Sequence, residues 1–413
     1  MTITLERPIP FRLPHTFTAL RHRNFRLFWF GQLISLIGTW MQSVAQGWLV
    51  LQLTNSPFKL GFVATIASLP MLFLSPIGGA VADRLSKKNL IILTQIIAMI
   101  LAFLIAGLIS LGWIRYWQIM VIAGMLGVVN AFDAPARQSF VIEMVGRADL
   151  MNAIALNSSM FNASRIIGPA IAGLLIAAMG LVGCFYLNGI SFLAVIVGLF
   201  LMRGKFEPKA SSDDSLLLNL KEGLRYVRRH QKISTLIEFT AVVSIFGMSY
   251  AMLMPVFARD ILYAGPRGLG ILMSATGTGA LAGALTLATL GDFKKRGYLI
   301  LGGGFLFSIM LILFSFSRSL ILSMVFLLFV GFGMSSQMAS INTEIQTNVS
   351  DHLRGRVMSI YTLTFMGMMP LGSLQAGTVA KFLGAPIAVL IGGGICLLNL
   401  LFRGWRNLEM FKE

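Results

Sequence analysis

Acidic residues are scarce in this chain: 16 Asp and Glu stand against 33 Lys and Arg in 413 residues, and charge of both signs totals only 12%. Soluble globular proteins carry about 25% charged residues, so an ordinary water-exposed surface is excluded. Cysteine is almost missing. Cys184 and Cys396 lie far apart in or beside apolar runs, which excludes a disulfide framework or thiolate metal centre and leaves both as packing residues. The four histidines, His15, His22, His230 and His352, fall in polar segments, so a histidine relay through the apolar spans is excluded too. No nucleophile, base and orienting group occur together in a recognisable motif. The apolar runs hold no cluster of His, Cys and carboxylates for a metal. Neither an enzyme nor a cofactor is expected.

What is abundant is apolar sequence, at 56% of the chain with a mean hydropathy of +0.80. A hydrocarbon core of ~30 Å takes about 20 apolar residues per crossing. Runs of that length recur at 27–53, 58–82, 89–111, 116–136, 151–178, 181–202, 233–258, 268–290, 298–316, 319–346, 357–382 and 385–403. The expected fold is therefore an all-α membrane protein with twelve transmembrane helices in a lipid bilayer. The one long polar connection divides it: residues 1–26 form an N-terminal segment, 27–202 one six-helix half, 203–232 a central loop, 233–403 a second half and 404–413 a tail. Within that loop Leu216, Leu220, Leu224 and Val227 share one helical face, the pattern of an amphipathic helix lying along the membrane surface.

The net charge of +17 would suggest nucleic acid in a soluble protein, but the cations alternate between loops. Roughly 26 basic residues fall on the side of the two termini and about 6 on the other, the bias that places both termini in the cytoplasm. Nucleic-acid binding is unnecessary. Residues 1–26 are polar and basic, the apolar run after them exceeds a signal h-region, and no cleavage site follows; no cleaved leader is expected. Glycines mark an internal duplication. Gly79, Gly127, Gly168, Gly173 and Gly180 recur as Gly283, Gly331, Gly372, Gly377 and Gly384 at a shift of 204 residues, the register of two parallel six-span halves.

The loop after the second run reads Gly79, Asp83, Arg84, Lys87 and Lys88, in the spacing G-x-x-x-D-R-x-x-K-K. It resembles the signature loop of the major facilitator superfamily, with Ser86 where the family has glycine. The resemblance implies a conformational latch at these residues. The second-half copy keeps Asp292, Lys295 and Arg296 but loses the glycine and the first arginine. Asn130, Asp133 and Arg137 share one helical face, with Arg354, Gly355 and Arg356 at the matching place in the second half. These stretches resemble the drug/proton antiporter-like branch that includes the enterobactin exporter and macrolide efflux pumps. Asp133 and Arg137 are either an interfacial ion pair or part of the gate; Arg137 and Arg356 are grouped with the latch. Gly168, Pro169 and Gly173 resemble the fifth-span antiporter motif, with Ala172 replacing one glycine, and imply a bend associated with exporters.

Arg165 stands alone in the middle of an apolar run, on one face with Ser158, Asn162 and Pro169. Asp133, Glu238 and Glu344 are its candidate partners and the candidates for proton coupling. The resemblance implies a cavity lined by helices one, four, seven and ten, which fits a substrate pathway of Gln32, Ser35, Thr39, Gln42 and Gln46, then Asn162 and Arg165, then Ser336, Gln337 and Ser340. Methionines at 248, 252, 254, 366, 368 and 369 are either flexible ligand surface or core filling. The expected function is proton-coupled export of an amphipathic small molecule, a siderophore or drug, by a monomer in the bacterial inner membrane. Export of a lipid-like or metal substrate, and a non-transporting sensor or assembly protein on the same fold, are the alternatives.

Overall fold

The computed structural model describes residues 15–204, 216–290 and 296–404. A short 3-10 helix, His15–Arg21, leads into α1 (Arg23–Thr54), α2 (Pro57–Arg84), α3 (Lys87–Ser110), α4 (Tyr116–Val145) and α5 (Leu150–Phe200). There follow α6 (Leu216–Arg229), α7 (Gln231–Val242), α8 (Tyr250–Val256), α9 (Gly265–Leu290), α10 (Arg296–Phe316) and α11 (Leu320–Asn348). The described chain finishes with α12 (Asp351–Gly367), α13 (Met369–Leu383) and α14 (Ala385–Asn399).

Ten segments are long and apolar enough to cross a membrane, taking α7 with α8 and α12 with α13 as single spans. Helix α5 counts twice. Its 51 residues would measure about 76 Å if straight, more than twice the ~30 Å hydrocarbon core. Gly180, at φ 75°, reverses it, and the returning leg brings the Leu201 carbonyl to Arg23 Nη1 at 2.9 Å. Helix α1 supplies the twelfth span. It falls short of the others in apolarity because it carries Gln32, Ser35, Thr39, Gln42, Ser43 and Gln46, all but the first of which line a polar interior. Two of its hydroxyls are satisfied within the helix, Thr39 Oγ1 donating to the Ser35 carbonyl at 2.9 Å and Ser43 Oγ to that of Thr39 at 3.1 Å.

The duplication is visible in the backbone. Gly384, at φ 91°, turns α13 into α14 just as Gly180 reverses α5, 204 residues earlier. A Cβ is disfavoured in that left-handed region, so both halves place a glycine at the same turn. Connections alternate between two ends of the bundle. One, here the basic end, carries Arg23, Arg84, Lys88, Arg147, Arg203 and Arg354. At the other end the longest connection is the five residues 111–115.

One expectation is corrected by packing. Helices α4 and α12 continue at the basic end beyond the apolar runs, to Val145 and back to Asp351. Polar residues there face protein partners instead of ending the helix. Helix α6 is held by α12 as well as amphipathic: Glu222 pairs with Arg356, Gly223 lies against the Arg356 backbone and Val227 is buried. The side chains of Leu216 and Leu220 lie outside the described residues. The seventh span is also less regular than its hydropathy suggests, with π-helical turns at Val243–Gly247 and Phe257–Ile261 on either side of α8; such turns concentrate at functional sites.

Candidate functional site

The two halves meet along two seams that the repeat relates to each other. In one, α5 lies on α9: a Cβ added at Gly270 would stand 2.5 Å from the Pro169 carbonyl oxygen and 3.1 Å from Gly173 Cα. In the other, α2 lies on α13: a Cβ at Gly61 would stand 2.5 Å from the Ser373 carbonyl oxygen and 3.1 Å from Gly377 Cα. Gly173 and Gly377 are repeat mates, and small residues are what allow such backbone approach. Hydrogen bonds across the halves reinforce both seams, Ser274 Oγ donating to the Ile166 carbonyl at 2.8 Å and Thr65 Oγ1 to that of Pro370 at 3.0 Å. The seams run on to mid-span, where a Cβ on Gly277 would stand 3.2 Å from the Arg165 carbonyl oxygen and one on Gly367 would stand 2.5 Å from Leu72 Cδ1. Nearer the basic end Met151 on α5 is 77% exposed and Leu285 on α9 is exposed. The backbone contacts described between the halves thus gather at mid-span and at the end opposite the basic one.

Inside it lies a cavity of about 370 Å³. Ser35, Thr39, Gln42 and Gln46 line it, as their spacing on α1 predicts, and Met252 joins them. Five of its polar lining residues were not foreseen as pathway residues: Ser43 on α1, Gln95 on α3, Asn130 and Arg137 on α4, and Asn188 on the returning leg of α5. Asn188 Nδ2 donates to Gln42 Oε1 at 2.5 Å. A lone amide in the apolar run YLNGIS was the available signal for Asn188, since polar groups within spans mark pathways by default.

Asp133 sits behind this wall, 1% exposed. Its Oδ1 accepts from Thr94 Oγ1 at 2.6 Å and Gln95 Nε2 at 3.1 Å, and Arg137 pairs with its Oδ2. Ser35 Oγ donates in turn to Gln95 Oε1 at 3.5 Å. A buried carboxylate so engaged is anchored on both oxygens, and its guanidinium partner reaches the cavity. This ion pair is thus part of the cavity wall, inside the first half.

The other proposed pathway residues lie elsewhere. Gln32 is buried and its amide has no hydrogen-bond partner. Ser336 and Gln337 turn into the second half against Gly303 and Gly304 of α10, and Ser340 borders a separate space of about 90 Å³ with Arg296 and Thr343. The helical spacing of that stripe defined a face of α11, but its neighbour is its own half. Asn162 Nδ2 donates to the Ser158 carbonyl at 2.9 Å. Of the methionines, 248, 254, 366, 368 and 369 are not in the cavity wall.

None of the candidate carboxylates reaches Arg165. Asp133 is committed to Arg137, Glu238 Oε1 is 3.0 Å from Arg403 Nε, and Glu344 Oε1 is 2.7 Å from Lys232 Nζ. The last two pairs are made with cations from the basic end, which the sequence separation concealed. Among the described residues Arg165 has no ion-pair partner; the Tyr250 phenol on α8 lies within its electrostatic reach. A charge at mid-span costs about 2.5–3.5 kcal/mol on insertion scales. Arg165 is only half-buried, at the level where the seam ends: the Arg165 carbonyl oxygen is 3.2 Å from a Cβ placed on Gly277. Gly168 permits the approach of α1, where an added Cβ would be 2.5 Å from Trp40 Cβ, and the Trp40 ring meets Phe161 edge-on at 5.7 Å.

The latch residues are dispersed. Gly79 faces open space, and Asp83 and Arg84 are exposed. Lys87, in contrast, is buried and donates to Glu143 Oε1 at 2.6 Å, so it ties α3 to α4 and does not reach for lipid. Lys88, the next residue, is half-buried. Arg137 and Arg356 serve Asp133 and Glu222. In the second-half copy, Asp292 and Lys295 lie outside the described residues.

Twelve spans in two repeated halves, enclosing a polar cavity that is shut on one side, define a multi-pass membrane transporter. The chain belongs to the transmembrane secretion effector family MFS_3, whose profile matches residues 14–412, a family of transporters and not of enzymes. It is 26% identical to the staphyloferrin A transporter of Staphylococcus aureus, over 94% of this chain and 98% of that one. It is 27% identical to the multidrug efflux pump Tap of Mycolicibacterium fortuitum, over 86% and 88%. In fold it is similar to a POT family transporter crystallised with a thioalcohol-conjugated peptide, with a TM-score of 0.75, 11% identity and coverage of 95% and 97%. The nucleoside transporter NupG gives a TM-score of 0.71 at 14% identity, covering 95% and 99%.

Proposed function

We propose that this protein exports an amphipathic small molecule across the bacterial inner membrane by alternating access, as a monomer, in exchange for protons. The observation that carries this reading is the pair of glycine seams that join the halves at the end opposite the basic one, beside a polar cavity. By the positive-inside bias the basic end and both termini are cytoplasmic, so this arrangement loads from the cytoplasm. Residues 27–202 and 233–403 are then the two bodies that rock, joined by 203–232, and the exposed Asp83 and Arg84 are a latch that engages only when the basic end closes. The kinship with a siderophore transporter and drug pumps makes those two classes the first to assay.

For coupling, Asp133 is the candidate best connected to the cavity, since Arg137 and Gln95 touch both. A proton on Asp133 would release the guanidinium toward the substrate space, and substrate movement would return it. The test is flux in proteoliposomes under an imposed pH gradient across a panel of siderophores and drugs. Gradient-dependent movement in the wild type, lost in Asp133→Asn while downhill exchange persists, supports the reading. No gradient-dependent flux of any compound sinks it in favour of a sensor on the same fold.

A further inference from the structure

Arg165 is a half-buried mid-span cation with no carboxylate to neutralise it among the described residues, and its backbone stands where the seam between α5 and α9 ends. The carboxylates proposed from the sequence as its partners, and Glu143 beside them, are all engaged elsewhere. Asp133 is 1% exposed and held by Thr94, Gln95 and Arg137; Glu143 is held by Lys87, Glu238 by Arg403 and Glu344 by Lys232. The bound pairs cancel, and Arg165 leaves the interior electropositive.

From this we infer that the substrate carries an oxyanion, a carboxylate in the simplest case, and that Arg165 is the residue that receives it. The inference rests on the transport reading above and names the substrate class for the same central space. A guanidinium presents a planar fork of donors matched to a carboxylate, and a charge-assisted bond of this kind is strongest where water is excluded. The surroundings fit an anion on an apolar body. Trp40 on α1 packs edge-on against Phe161, one turn before Arg165 on α5, and the Tyr250 phenol lies within electrostatic reach of the arginine. The amide-bearing cavity wall of Gln42, Gln46 and Asn188 supplies neutral hydrogen-bonding groups without opposing charge. A half-buried guanidinium without an ion-pair partner among the described residues also explains itself in these terms: the counter-charge arrives with the cargo and leaves with it, so the cation is neutralised only in the loaded transporter.

The experiment uses full-length protein in nanodiscs and matched ligand pairs, each an amphipathic carboxylic acid beside its methyl ester, together with amphipathic amines such as ethidium. Binding is read by thermal stabilisation and tryptophan fluorescence, and flux by the proteoliposome assay. The wild type should bind at least one acid about tenfold or more tightly than its ester. Arg165→Gln should equalise acid and ester, and Arg165→Lys should restore part of the preference; both variants are checked for monodispersity. A merely structural arginine would lower stability without moving the acid-to-ester ratio. The inference is overturned if the tightest ligands are amines or esters, if no acid in the panel binds, or if the preference survives in Arg165→Gln. Flux of cations or neutral compounds, indifferent to Arg165, leaves export standing and removes the anion site. Arg165-dependent acid binding without gradient-driven flux does the reverse.

Discussion

Gly270→Ala places a single methyl between α5 and α9. The new carbon would stand 2.5 Å from the Pro169 carbonyl oxygen, against the 3.4 Å at which ordinary van der Waals contact begins. The helices must therefore part by roughly 0.9 Å, and neither opposing atom belongs to a side chain that can swing away. Overpacking of this kind costs about 1–3 kcal/mol. The strain applies only while the seam is shut, so the variant shifts the balance toward the arrangement open at the opposite end by roughly 5- to 150-fold. A minor population on the order of 1% would rise to between about 5% and 60%. The measurement is the spin-label distance between cysteines at Trp113 and Ile321, one in each half at that end, with Cys184 and Cys396 replaced by alanine. Both label sites are well exposed. A second, longer distance should appear in Gly270→Ala. Gly107→Ala is the control, because a Cβ there meets nothing within 4 Å. An unchanged distance distribution in a well-folded Gly270→Ala protein would refute the idea that backbone contact at the glycine seams holds this end closed.

Three further outcomes follow from the side-chain geometry. Asp133→Asn should destabilise the purified protein by about 3 kcal/mol, because it strands Arg137 without its counter-charge; thermal unfolding should show Asp133→Asn/Arg137→Gln recovering part of that loss. A double-mutant cycle on Lys87 and Glu143 should give a coupling of about 1–3 kcal/mol, whereas Lys88→Ala should change stability little. Gln46→Leu should depress transport through loss of a cavity-lining amide. Gln337→Leu should leave transport intact and match or exceed wild-type stability, since the buried Gln337 amide has no hydrogen-bond partner among the described residues to lose.

The span count and the duplication were legible because they depend on local patterns, hydropathy runs and glycines in register. The turn glycines 180 and 384 show how far such a pattern reaches: one residue type at one spacing encodes the same reversal twice. The α1 stripe was legible too, since a polar face on an apolar helix has to meet a polar interior. The α11 stripe of Ser336, Gln337 and Ser340 is as regular yet packs within its own half, away from the cavity. Periodicity fixes the direction a side chain points on its own helix and says nothing of the helix it meets. Charge pairing was hidden for the same reason. Glu238 with Arg403 and Lys87 with Glu143 join residues 165 and 56 positions apart, and only the assembled bundle shows that these pairs exclude Glu238 and Glu344 as partners for Arg165.

The single-residue turns at Gly180 and Gly384 have a consequence for whatever waits on the far side of the membrane. With no connection there longer than five residues, that face offers almost no chain for an antibody, a protease or a receiving protein to grip. A recipient would have to recognise blunt helix ends. The simplest hand-over is release into the surrounding water or lipid, and epitope tags meant to be reached from that side would have to be built in, because the protein supplies no loop to carry them.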